Sequence, residues 1–184
     1  MKTKDMTLIA IMIGMLIICS QLAIPIGPIP ITLQTLAVLM IGYLLTPKNA
    51  VLTIILYLLL GLIGFPIFAN FSGGLQAILL PSFGFALAFI PATYLQTRYL
   101  KNHNISQVKN LMIAGLINTA ITYLIGLTYM AFILNIYLNS SLNFMGILWI
   151  GFIPFVPGDI IKVVLAILLA KRLLPIIYKK VTMI

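Results

Sequence analysis

Pro157-Gly158-Asp159-Ile160-Ile161-Lys162-Val163-Val164-Leu165-Ala166-Ile167-Leu168-Leu169-Ala170-Lys171 is the stretch on which the fold turns. It opens on a Pro-Gly pair, closes on a cation, and is apolar in between except for Asp159 and Lys162. A helix rises about 1.5 Å per residue, so Lys162 stands ~13 Å above Lys171 and Asp159 ~4–5 Å higher. If Lys171 marks one edge of a hydrocarbon core about 30 Å thick, Lys162 lies close to its midplane. A cation at that depth costs roughly 2.5–3.5 kcal/mol on insertion scales. The carboxylate three residues away shares its helical face and offsets that cost. Pro157-Gly158 makes Asp159 a cap or first-turn residue, where the helix dipole favours an anion. Two readings stay open: a structural ion pair that fixes helix packing, or two opposite polar groups that face a pocket.

Composition sets the environment. The 184-residue chain is 62% hydrophobic and 7% charged, with a mean hydropathy of +1.21, outside the balance of soluble domains. Six apolar spans are expected, at about residues 6–23, 33–45, 49–63, 83–99, 111–133 and 157–174, with a kink at Pro91. The first ends at Pro25 and, lacking a small-x-small cleavage site, is expected to be retained. An apolar stretch at 144–155 is either an interfacial helix or the first half of a broken span. Of the 11 basic residues, all but Lys162 then fall on one side. Lys2 and Lys4 precede the first span, and Lys48 separates the second from the third. Arg98, Lys101 and Lys109 lie between the fourth and fifth, and Lys171, Arg172, Lys179 and Lys180 close the sixth. The positive-inside rule makes that side cytoplasmic, with both termini on it. The net charge of +9 therefore reflects topology, and nucleic acid is rejected as a partner because the cations form no stripe. The fold class is an all-α membrane protein, read as a single integral domain over residues 1–184. The one cysteine, Cys19, excludes a disulfide.

The outer connections carry no Lys or Arg and are rich in Pro, Gly and aromatics: residues 24–32, 64–81, and the segment before the sixth span. Irregular backbone at membrane depth is tolerated where it is buried in protein or lines a cavity. These loops are therefore expected to fold inward and roof a pocket; the alternative is that they rest on the lipid interface. Thr32 and Gln34 open the second span beside the Pro-rich loop. Asn70 sits between Phe68 and Phe71, ahead of Ser72-Gly73-Gly74, whose glycines allow a close backbone approach. Asn118, Thr119 and Thr122 line a cavity or bond to neighbouring helices. Ala10 and Gly14 form a small-x-x-x-small pair suited to close helix packing. There is no phosphate-loop motif, no H-E-x-x-H and no Cys/His cluster, and the single histidine, His103, falls in a cytoplasmic loop. An enzyme is not expected, and no cofactor or metal is implied.

Three segments carry a resemblance: Pro28-Ile-Pro-Ile-Thr-Leu-Gln-Thr-Leu-Ala-Val-Leu39, Tyr57-Leu-Leu-Leu-Gly-Leu-Ile-Gly-Phe-Pro-Ile-Phe68 and Pro154-Phe-Val-Pro-Gly-Asp-Ile-Ile-Lys162. Together, over nearly the whole chain, they resemble the BioY family, the biotin-specific substrate-binding subunits (S components) of energy-coupling factor (ECF) transporters. Many members carry Gly-Gly where Ser82-Phe83-Gly84 stands here. The resemblance implies a six-helix S-component fold in the cell membrane and an outward-facing vitamin site. It also implies a transmembrane coupling subunit and two ATPase subunits as partners, with Ala10 and Gly14 on the surface offered to the coupling subunit. In such a site Asp159 would accept from the ureido N–H groups of biotin and Lys162 would donate to its carbonyl, or Lys162 would meet the carboxylate instead. Phe68, Phe71, Phe155 and Trp149 would cover the rings, and Asn70 or backbone N–H groups would meet the tail. The competing functions are a stand-alone secondary transporter gated through Asp159, and a scaffold bundle whose ion pair only packs.

Overall fold

The structure is a computed structural model that describes residues 3–24 and 29–178. Lys2, Pro25, Pro28, Lys179 and Lys180 lie outside the described residues. Seven α-helices are present among the described residues: α1 (Thr3–Gln21), α2 (Gln34–Leu44), α3 (Pro47–Ile63), α4 (Phe83–Lys101), α5 (Val108–Phe132), α6 (Phe144–Gly151) and α7 (Val156–Tyr178).

The turns follow from local chemistry. Pro47 stops α2 and starts α3: Leu45 and Thr46 are extended, and Pro47 occupies the first helical turn, where its missing N–H costs nothing. α3 ends at Gly64, whose φ is 120°. Arg98 and Lys101 close the last turn of α4, at the negative end of its dipole. α6 is capped by Asn143, whose Oδ1 accepts from the Gly146 N–H at 2.8 Å. Lys4 Nζ donates to the Ile177 carbonyl, so the start of α1 meets the end of α7. Alternation of the spans then brings Lys48, Arg98, Lys101, Lys109, Lys171 and Arg172 to that same end.

The six expected spans correspond to α1–α5 and α7, and four details are added to them. Pro91 lies inside α4, which continues unbroken from Phe83 to Lys101. α7 runs past Pro175 to Tyr178, longer than the pattern suggested. The 144–155 stretch is a separate eight-residue helix, α6, divided from α7 by residues 152–155 and packed on α5. The Pro-rich outer loop is not wholly irregular: β1 (Ala23–Ile24) pairs antiparallel with β2 (Ile31–Thr32), Ala23 opposite Thr32 and Ile24 opposite Ile31.

α2 is the hub. It packs against α1, α3, α4, α5 and α7, and every residue from Ala37 to Leu45 is buried. At 11 residues it is ~16 Å long, about half a hydrocarbon core. Its N-terminal end, at Gln34, opens on a cavity. Beneath that cavity a buried polar relay ties three helices together. Asn118 Nδ2 on α5 donates to Gln96 Oε1 on α4 at 2.7 Å, and Gln96 Nε2 donates to the Leu39 carbonyl on α2 at 3.2 Å. Gln96 is fully buried, so Gln96→Leu strands the Asn118 amide. The expected loss is ~1–3 kcal/mol, read as a fall of several degrees in the melting midpoint of the detergent-purified protein. An unchanged midpoint would show that the relay contributes nothing.

Candidate functional site

The cavity has a volume of about 330 Å³, at the lower end of the range for small-molecule sites. Its lining comes from helices and both roof segments. β2 and its approach give Ile29, Pro30 and Thr32; α2 gives Gln34, Thr35 and Leu39; the 68–72 loop gives Phe68, Ala69, Asn70 and Ser72. α4 and its cap give Ser82, Phe83, Phe85, Ala86 and Phe89. α5 gives Asn118, Thr119, Thr122 and Tyr123, and α7 with the turn before it gives Phe155, Asp159 and Lys162. Parts of the outer loops thus fold inward onto the cavity, the setting in which irregular backbone at membrane depth is tolerated, while Phe65, Phe71 and Leu75 face out.

Asp159 and Lys162 form the polar centre. Asp159 sits in the first turn of α7, where the dipole favours its charge, and its N–H donates to Phe155 O at 2.9 Å. Lys162 Nζ donates to Asp159 Oδ1 at 2.9 Å, and the residues are 7% and 8% exposed respectively. Oδ1 also accepts from Thr35 Oγ1 at 3.2 Å, and Oδ2 accepts from the Tyr123 hydroxyl. The Tyr123 ring is fixed by edge contacts with Phe85 and Phe152, at centroid distances of 6.2 and 4.8 Å. The carboxylate is therefore held by donors from α2, α5 and α7. The ammonium is not: a lysine carries three N–H donors, and the bond to Asp159 uses one. The other two remain available on the cavity wall.

The 67–72 loop is held in an uncommon conformation. Asn70 and Phe71 have φ of 58° and 55°, a left-handed region that asparagine tolerates and a bulky aromatic does not. The end of α1 grips it. Ser20 Oγ donates to Ile67 O at 2.5 Å, Gln21 Nε2 donates to Phe68 O at 3.1 Å, and Gln21 Oε1 accepts from Phe71 N–H at 3.0 Å. A second support runs from Gln34 Nε2 to the Tyr57 hydroxyl at 2.8 Å, which in turn donates to Ile67 O at 3.1 Å. The loop so held keeps Phe68 buried, edge-on to Tyr57 and Phe83 at 5.5 and 5.9 Å. It also sets Asn70 on the cavity wall.

A shape of this kind, an apolar vestibule ending in one buried ion pair, suits a small molecule with a polar head and an apolar body. The BioY family model matches residues 1–179 of the chain. The chain belongs to the BioY family. Among its relatives, the probable biotin transporter BioY of Pyrococcus horikoshii is 33% identical over 173 residues, covering 94% of this chain and 98% of that protein. The biotin transporter BioY of Lactococcus lactis subsp. cremoris is 34% identical over 179 residues, covering 94% and 91%. Among solved structures, the S-component for biotin from an ECF-type ABC transporter superposes with a TM-score of 0.83 at 30% identity, over 94% of both chains. Like other BioY-family members, the chain is an integral protein of the cell membrane with the S-component fold, a transport protein and not an enzyme.

Of the residues singled out from sequence, Asp159, Lys162, Asn70, Gln34, Thr32 and Phe68 meet at the cavity, as do Phe155, Asn118, Thr119 and Thr122. Four others stand off its lining. Phe71 is 70% exposed and Trp149, on α6, is 62% exposed. Gly73 and Gly74 close the loop instead. A Cβ on Gly73 would lie 2.2 Å from the Phe65 carbonyl oxygen, and Gly74 N–H donates to Gly61 O at 2.7 Å. Gln34 and Thr32 touch the cavity but spend much of their polarity on each other and on Tyr57. Ala10 is exposed on α1, and nothing lies within 4 Å of where a Cβ on Gly14 would be. Sequence reasoning missed Thr35, Tyr123, Ser82, Phe83, Phe85 and Phe89. Phe85 and Phe89 carry a legible signal, two aromatics four residues apart on one helical face. Tyr123 carries none without the neighbouring helix.

Proposed function

We propose that the chain is the substrate-binding S component that captures biotin from the extracellular side and delivers it inward with an ECF coupling subunit and ATPases. The observation that carries this reading is the buried Asp159–Lys162 pair on the cavity wall, with two ammonium hydrogens uncommitted. Biotin offers complementary groups: two ureido N–H donors, one carbonyl acceptor, an apolar sulfur ring and a carboxylate tail. The carbonyl would take a hydrogen from Lys162, an N–H would go to Asp159, and Phe68, Phe83, Phe85, Phe89 and Phe155 would enclose the apolar rings. The tail would run toward the roof, where Asn70 and the 68–72 backbone stand. Each desolvated polar group then has a partner, and the cost of leaving one unpaired is avoided. The Pyrococcus horikoshii relative is named as a probable biotin transporter, and the solved S-component is one for biotin, which supports the same ligand here.

Energy for release has to come from outside, because the chain holds no phosphate-loop motif. α1 offers a surface for the coupling subunit: Ala10 and Gly14 lie on a face that also exposes Met6, Ile11 and Ile18. Small residues there permit close helix approach. Mass spectrometry of small molecules released from the purified protein tests the function. Biotin should copurify, and the emptied protein should rebind biotin in preference to other vitamins. Copurification of a different solute, with no saturable biotin binding, would refute the proposal.

A further inference from the structure

We infer that the Thr122 hydroxyl is a ligand acceptor, taking one ureido N–H of biotin while Asp159 takes the other, and so fixes which way round the ring system sits. The inference rests on the biotin reading above and adds a residue to it. Thr122 is 4% exposed and lines the cavity. Its Oγ1 is the buried side-chain polar atom that has no hydrogen-bond partner among the described residues. A threonine inside a helix ordinarily satisfies its hydroxyl on the carbonyl four residues back. Four other helical threonines behave that way: Thr53 donates to Asn49 O, Thr93 to Phe89 O, Thr97 to Thr93 O and Thr128 to Leu124 O, all at 2.7–2.8 Å. Thr122 departs from this pattern where it is buried against the cavity.

Counting acceptors explains why a ligand needs it. An ionised carboxylate has about four accepting sites. Lys162 and Thr35 occupy two on Oδ1, and Tyr123 occupies one on Oδ2. One site remains for two ureido N–H groups. Donors are not short, since Lys162 keeps two hydrogens for the carbonyl; an acceptor is. Depth selects Thr122 for it. Counting from the basic residue at the cytoplasmic end of each helix, Asp159 stands ~18 Å above Lys171 and Thr122 ~20 Å above Lys109. Asn118 and Thr119 stand lower, near the depth of Lys162, ~13–15 Å up, and Asn118 Nδ2 is committed to Gln96. The Tyr123–Asp159 bond fixes the same register between α5 and α7. Beside Tyr123, whose hydroxyl is already spent on Oδ2, Thr122 is thus the polar group of α5 level with the carboxylate.

The test uses the purified full chain, with biotin and two lactam analogues in which one or the other ureido N–H is replaced by a methylene. Thr122→Val keeps the shape and removes the hydroxyl, and should weaken biotin roughly 10–100-fold, the effect of one unpaired buried N–H. Thr122→Ser keeps the hydroxyl and should bind biotin within about threefold of wild type, since the bond is retained. One lactam should bind wild type and Thr122→Val equally, and the other should lose affinity in the valine variant as biotin does. Equal biotin affinity in wild type and Thr122→Val would overturn this inference alone. So would an equal loss for both lactams, which marks a change of cavity shape. Failure of wild type to bind biotin would instead remove the underlying function.

Discussion

Lys162→Ala is expected to weaken biotin binding by roughly 10²–10³-fold, the largest single-residue effect on affinity in the cavity. Truncating one partner of a buried, hydrogen-bonded charge pair typically costs about 2–5 kcal/mol or more. Lys162 is the only cation among the described residues of the cavity wall, so no other side chain there donates to a buried carbonyl with full charge. Stability should fall less than affinity does. Without the ammonium, Asp159 still accepts from Thr35 at 3.2 Å and from the Tyr123 hydroxyl. Two donors remain on the carboxylate, which moderates the penalty of an unpaired buried anion. Parallel biotin titration and thermal melting check the asymmetry. A variant that melts far lower yet binds as before would make the pair a packing device.

Asp159→Ala is expected to do the reverse damage first. The carboxylate gathers three side-chain donors from α2, α5 and α7, and its loss strands all of them. Lys162 then becomes a buried cation with no counter-charge, a change that generally costs about 3–5 kcal/mol. In a protein of this size that corresponds to a melting point lower by roughly 6–20 °C. Biotin affinity should also fall at least about tenfold, because the carboxylate acceptor for one ureido N–H is gone. Thermal melting of the two single variants orders them: Asp159→Ala should unfold at a lower temperature than Lys162→Ala. The opposite order would mean that the carboxylate does not organise the three helices.

The membrane fold was largely legible in the chain because its determinants are compositional. Spans announce themselves as apolar runs, and the basic residues mark one end of each of the six spans. Asp159 and Lys162 were legible because charges are rare in such segments and their three-residue spacing puts them on one face. Asn70 was legible from the loop around it. The rest depended on contacts between distant segments. Tyr123 and Thr35 matter because they converge on a carboxylate 36 and 124 residues away, and no local pattern announces that. Phe71 and Trp149 are aromatics near the roof, but their local sequence does not say which way such a ring turns, and both face out. Gly73 and Gly74 carry the composition of a ligand loop, and the close approach they permit is to the Phe65 carbonyl and Gly61 instead. The β1–β2 ladder is hidden because each strand is only two residues long and the two flank a Pro-rich connection.

Removing the charges together while keeping the volume separates binding from packing. In Asp159→Leu/Lys162→Met neither partner is left as an unpaired charge, and such replacements of buried ion pairs are often neutral or stabilising. The direct measurement is an equilibrium titration of biotin on this double variant beside wild type, both purified and freed of copurified ligand. Saturable binding in wild type and none in a double variant that remains folded is the expected result. Equal binding by the two proteins would contradict the assignment of the pair to the ligand.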